Sequence, residues 1–261
     1  MSVNLKMGWL RSASSLFFWN GALLGKAGAL RGELGVANAM LYVLSRALQA
    51  GSMGRCRLYK YYLVAQPVAA KSLLPPSRGI NIEIRQLNEM ESIAASFPRN
   101  LEVTRHRFEN GASCFLATKK GQFAGFLWLQ SGEFLEDEVR ASYETLPTAS
   151  TVWDFDVFVD PSLRFGMTFP RLWDEANSVM RERGINWSCS RISAFNAGSR
   201  AAHARLGTEI LASASFLCVG NLQLTMATVS PYLHFSIHSN KFPKFYLDTN
   251  RCHSIGKTRQ L

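Results

Sequence analysis

Between residues 151 and 193 the hydrophobic period of the chain changes twice. "TVWDFDVFVD" (151–160) alternates with the two-residue period of a strand. "PRLWDEANSVMRERG" (170–184) puts Leu172, Trp173, Ala176, Val179 and Met180 on one helical stripe, with Pro170 in the first turn and Gly184 as the stop. "INWSCSRIS" (185–193) is a strand again. A strand, an amphipathic helix and a strand in succession require a sheet with a helix on its face. Upstream, "INIEIRQL" predicts a strand, "NEMESIAAS" a short helix capped by Asn88, and "PRNLEVTRHRFENG" a second helix. "SCFLATKKGQFAGFLWLQSG" predicts a hairpin turning at "KKGQ", and the acidic run after it a loop plus a further strand. Downstream, "AGSRAAHARLG" predicts a short helix, and "EILASASFLCVG" and "LQLTMATVS" a final pair of strands. The expected class is α/β (α+β), a mixed sheet with helices packed on its faces.

Charge divides the 261 residues unevenly. Residues 1–80 hold ten Lys/Arg and one acid, Glu33; residues 81–240 hold fourteen against seventeen acids; residues 241–261 hold five against one. Three segments are expected: a basic N-terminal extension (1–78) with an amphipathic helix, a main domain (79–230) and a basic C-terminal tail (231–261). The break rests on "KSLLPPSRG", where two prolines resist helix and strand alike. In the extension, Val36, Met40, Val43, Leu44, Ala47 and Leu48 share one helical face. Basic ends around a mildly acidic middle suit an anionic membrane surface or a protein partner, or else are solvated faces. Nucleic acid is disfavoured by the acidic core and the lack of a binding motif. "LYKYY" (58–62) fits a stacking platform or an amphiphilic strand packed on the domain. An oligomer is compatible with this composition.

Five scattered cysteines form no C-x-x-C pair, so the sequence indicates neither zinc nor a disulfide framework and fits a reducing compartment. No apolar run reaches the length that spans a bilayer. The apolar start is short and is broken by Asn20, Gly21 and Lys26, so it is not read as a signal peptide. A cytoplasmic protein is expected, peripheral to a membrane if the extension docks. "GALLGKA" (21–27) is a residue short of a phosphate loop and has no Ser/Thr after Lys26; His234, His238 and His253 lack ligand spacing.

Two stretches make the order of elements specific. In "NAGSRAAHARLG", Asn196, Ser199, His203 and Gly207 fall at the spacing Asn-x-x-Ser-x-x-x-Tyr-x-x-x-Gly, with His in place of Tyr. In "VDPSLRFGMTFPRLWDEA" a strand runs through a loop with Gly166 at its centre into a helix. On these residues the stretch 80–230 resembles the GNAT superfamily of CoA-dependent N-acyltransferases. The resemblance implies a GNAT-like, mostly antiparallel twisted sheet with helices on both faces. It also implies acetyl-CoA as co-substrate, no metal, and a primary amine as acceptor. The coenzyme diphosphate is expected on the main-chain amides of Arg164, Phe165, Gly166, Met167 and Thr168, where a helix N-terminus favours negative charge. Arg164 stands one place later than the family's pattern, and Thr168 replaces its last small residue. The pantetheine arm is expected beside Val157, Phe158 and Val159, where this strand parts from the next. Asn196 and Ser199 are expected to steady the cofactor; helix capping explains Asn196 as well.

Three side chains are candidates for the chemistry. Strict alternation puts Trp153, Phe155, Val157 and Val159 on one face and Asp154, Asp156, Phe158 and Asp160 on the other. Carboxylates on an apolar strand need water or a partner. Asp154 or Asp156 is therefore either a base in an acceptor groove or an ion-paired structural group. His203 is either the acid that protonates the departing thiolate or an ordinary residue of a short helix. The alternative for the whole chain is a catalytically inactive module that docks through residues 1–78.

Overall fold

A computed structural model describes residues 31–238 and 241–252. The segment 21–27 and His253 lie outside them. Helix α1 (Val36–Gly51) leads into strand β1 (Cys56–Pro67), and β2 (Ile82–Leu87) follows after an irregular stretch. Helix α2 (Leu101–Glu109) precedes the hairpin β3 (Ser113–Lys119) and β4 (Gln122–Gln130). Then come β5 (Glu133–Leu135), β6 (Ser142–Leu146), β7 (Thr151–Val159), helix α3 (Thr168–Glu182) and β8 (Trp187–Ser193). Helix α4 (Ala197–Ala204) leads to β9 (Glu209–Val219), β10 (Leu222–Ala227), β11 (Leu233–Ser236) and β12 (Lys244–Asp248). Nine strands form one sheet in the order β11-β10-β9-β1-β8-β7-β4-β3-β2, and β12-β6-β5 form a second. In the large sheet every pairing is antiparallel except β7 with β8.

Helices cover both faces of the large sheet. The α3 stripe buries Leu172, Trp173, Ala176 and Met180 against Phe115, Leu127 and Leu129. On the opposite face Phe108 of α2 meets Trp128, with ring centroids 4.8 Å apart, beside Leu116 and Phe126. Each such large side chain removed from water contributes about 1.5–3 kcal/mol. The small sheet forms a third layer: Phe134, Tyr143 and Phe245 pack on Tyr61, Trp153 and Phe216. The fold is thus the expected mixed, mostly antiparallel α/β sheet with helices on both faces.

Three expectations change. The break at 78 does not isolate an N-terminal extension, because β1 lies inside the sheet, paired to β8 and β9 along both edges. Its aromatic and branched residues are core on one face, through Tyr61, Leu63 and Ala65, and carry Lys60 and Tyr62 under α1 on the other. Residues from 231 onward are likewise not a tail: β11 extends the large sheet and β12 pairs with β6. Phe245 and Leu247 are buried there, while Lys244 bridges Glu133 and Glu144 at 3.0 and 2.7 Å. Finally, the first short helix is a 3-10 turn over Ser92–Ser96. Asn88 does not cap it; the Asn88 side chain accepts from Gln86 and Ser113 instead.

One glycine fixes how closely β4 approaches β7. A Cβ on Gly125 would stand 2.5 Å from the Phe158 carbonyl oxygen and 3.3 Å from Val159 Cα. Gly125→Ala is expected to push the strands apart and destabilise the fold by about 1–3 kcal/mol. A urea midpoint equal to wild type would show that the close approach is not needed.

Candidate functional site

Strand β7 is paired on both sides only at its beginning. It meets β8 over Thr151–Trp153 alone, where Trp153 faces Cys189. Beyond that point β7 runs to Val159 and β8 to Ser193 without pairing to each other, so the two strands part. On its other edge β7 stays on β4: the Asp160 amide donates to the Ala124 carbonyl at 2.9 Å, and Val159 lies opposite Gly125. Antiparallel alternation therefore turns the main-chain N–H and C=O of Val159 toward the gap.

A bulge sits in the middle of the parted stretch. Phe126 is opposite Phe158 and Trp128 opposite Phe155, so Asp156 and Val157 together face one residue of β4, and Asp156 adopts φ 51°. The bulge breaks the alternation expected from the sequence. Val157 and Val159 pack on the α3 side, while Phe155 and Phe158 pack on the α2 side.

The two aspartates consequently have different surroundings. Asp156 turns to the α2 side, where Arg99 and Arg107 clasp it; Arg107 donates at 2.6 Å and Arg99 Nε at 2.7 Å. Both guanidiniums lie over aromatic rings, Arg99 on Phe126 and Phe158, Arg107 on Trp128 and Phe155. Burial by itself would raise the Asp156 carboxyl, but the two arginines outweigh it and hold the group below its ordinary value. Asp156 is the ion-paired, structural alternative rather than a free base. Asp154 stands on the α3 side at the closed end of the gap and accepts from Ser188 Oγ at 2.7 Å. It is almost fully buried and faces no cation, so burial pushes its pKa up to about 7 against the pull of Ser188 and Ser190.

His203 is not the exposed acid of a short helix. Its ring lies edge-on to Phe169 and Trp173, with centroids 6.1 and 5.8 Å away, and Nδ1 donates to the Gln66 side-chain oxygen Oε1 at 3.0 Å. Burial pushes its pKa down to about 4, so it is neutral at physiological pH. Asn196 caps α4 by accepting from the Ser199 amide at 3.0 Å. No side chain of Ser199 enters that bond.

The loop before α3 is open to solvent: Arg164, Phe165 and Gly166 are exposed. The Gly166 amide is used within the loop, donating to the Leu163 carbonyl at 2.9 Å. A Cβ there would crowd the same oxygen at 3.1 Å. Helix α3 has no side-chain cap and no acid in its first turn. Thr168 Oγ1, in that turn, and Trp173 Nε1, one turn on, are buried and have no hydrogen-bond partner within the protein. Both atoms are sealed from solvent, so what faces the open loop is an uncapped, acid-free helix start, which favours negative charge. Among the described residues no group of His, Cys, Asp and Glu is arranged to hold a metal, and no helix is long and apolar enough to cross a membrane.

Val157, Phe158 and Val159 lie at the end of β7 and Arg164 to Thr168 follow it in the chain, whereas Asp154 lies earlier in β7, bonded to Ser188. Sequence reasoning missed Arg99, Arg107, Ser188 and Gln66. These come from four other elements or loops, and only the tertiary fold brings them to β7 and α4.

No family model matches the chain, and no curated protein matches it. Among solved structures, the chain is similar to a functionally unknown conserved protein from Staphylococcus epidermidis, with 12% identity and a TM-score of 0.44, covering 69% of this chain and 67% of that one. A putative acetyltransferase from the GNAT family from Novosphingobium aromaticivorans is similar at 14% identity and a TM-score of 0.42, covering 61% and 63%. A tandem GNAT protein from the clavulanic acid biosynthesis pathway gives 13% and 0.41, covering 59% and 50%. The chain thus spans half to two thirds of the length of these structures. Likeness at this level assigns neither an activity nor a substrate.

Proposed function

We propose that the protein is a CoA-dependent N-acyltransferase, moving an acyl group, most simply acetyl, from acyl-CoA to a primary amine. The observation that carries this reading is the parting of β7 from β8 after Trp153, next to an uncapped helix start. In this reading the gap beside Val157 to Val159 takes the pantetheine arm, and the Arg164 side chain with the main-chain amides of the loop other than that of Gly166 takes the diphosphate. Asp154, at the closed end of the gap, accepts the proton of the attacking amine, directly or through one water. The amine nitrogen bonds to the thioester carbonyl carbon, the C–S bond breaks, and the thiolate leaves to be protonated by solvent. Placement of the two reactants supplies most of the rate.

Calorimetric titration with acetyl-CoA tests the binding step. Wild type is expected to bind, and Arg164→Glu, a charge reversal in an exposed loop, to weaken binding about ten-fold through lost phosphate attraction. Gly166→Glu, which also crowds the Leu163 carbonyl, is expected to abolish it. Absence of binding by wild type overturns the reading.

A second reading has its own observation. His203 is neutral, buried and bonded to Gln66, so the expected thiolate acid is not in service. This favours a module that retains the fold without catalysing transfer. Coenzyme binding with no turnover on any of a panel of small amines, polyamines and peptides would select it.

A further inference from the structure

Helix α1 carries a row of apolar side chains on its outward face. Val36, Met40, Val43 and Leu44 are 52%, 68%, 59% and 47% exposed, and Met53, just past the helix end, is 84% exposed. The other face is the one that packs, with Leu34 and Asn38 buried and Leu41, Tyr42 and Ser45 half-buried. Asn38 donates to the Tyr62 hydroxyl at 2.9 Å and accepts from Lys60 at 3.0 Å, and Ser45 donates to the Leu58 carbonyl at 2.8 Å. These bonds to β1 fix the rotation of the helix, so it cannot turn its apolar row inward without leaving buried polar groups unpaired.

We propose that this row is a docking surface for an anionic lipid membrane, on which α1 lies in the interface plane. Sixteen residues are too few to span a bilayer. Charge selects the occupant. The exposed arginines Arg31, Arg46 and Arg55 lie before, on and after the helix. Residues 1–30 add Lys6, Arg11 and Lys26 and no acid, and Glu33 is the one acid among residues 1–80. A second copy would bring the same cations to the interface, and residues 1–30 folded back on the row would bring three more. A leaflet of anionic headgroups over an apolar layer matches both the row and its cations. The surface is independent of the coenzyme reading, since it uses none of the residues around β7.

Flotation of the full chain with vesicles tests it. Binding is expected to phosphatidylcholine vesicles containing roughly one third phosphatidylserine, and far less to phosphatidylcholine alone, with loss as salt rises. Met40→Glu with Val43→Glu is expected to lower binding at least about ten-fold, and Arg46→Gln about five-fold. Because the row faces solvent, the double variant should keep the wild-type melting temperature. No flotation of wild type on anionic vesicles, or equal flotation of the double variant, overturns the proposal. So does a melting temperature lowered by several degrees, which would mean the rest of the chain covers the row. A concentration-dependent dimer abolished by the double variant also overturns it.

Discussion

Asp154→Asn is expected to lower acyl transfer by about 10²–10⁴-fold, the usual contribution of a positioned general base. The wild-type rate should rise with pH and level off above about 7, the value to which burial pushes the Asp154 carboxyl. The same substitution should make the protein more stable at high pH. The sign follows from proton binding: between about 4 and about 7 the folded state holds a proton that the unfolded state has released. Wild-type stability contributed by this group is therefore full below about pH 4 and falls as pH rises through 7. The loss is on the order of 4 kcal/mol, from the separation of the two values. Asparagine keeps a partner for Ser188 and carries no charge to bury. A thermal scan should find Asp154→Asn above wild type at pH 8 and level with it near pH 4. Activity within a few-fold of wild type would remove Asp154 from the chemistry, whatever the stability result.

Asp156→Ala is expected to cost about 3–5 kcal/mol, because it leaves two cations packed over aromatic rings without their shared anion. Part of the cost is backbone. Asp156 holds a positive φ that alanine adopts less readily. The arginines hold this carboxyl below its ordinary value, so its contribution is present above about pH 4 and disappears as pH falls below that. Asp156→Ala should therefore lose most against wild type at neutral pH in urea unfolding, and less in acid. Equal unfolding midpoints at pH 7 would show that the Arg99–Asp156–Arg107 cluster does not hold the bulge.

The two aspartates also show how far the sequence could be read. Both looked alike two positions apart on one strand, and simple alternation put them on one face. A bulge, which has no signal in the "FDVFV" run, sends Asp156 to one side of the sheet and leaves Asp154 on the other. The α3 stripe was readable because its helix is amphipathic and buries that stripe. The α1 row was equally readable as a face, but not its direction, which is decided by Asn38 and Ser45 bonding to β1. β1 was recognisable as a strand, yet its central place depends on pairing with β8 and β9, more than a hundred residues away. His203 fell at the expected spacing; its burial against Trp173 and Gln66 depends on side chains from two other elements.

Hydrogen exchange with and without acetyl-CoA tests the site most directly. The account predicts slowed exchange of the main-chain amides from Val157 to Val159 and from Met167 to Phe169, with the rest of the large sheet unchanged. Acetyl-CoA that leaves both stretches unprotected, or that protects another part of the molecule, contradicts it.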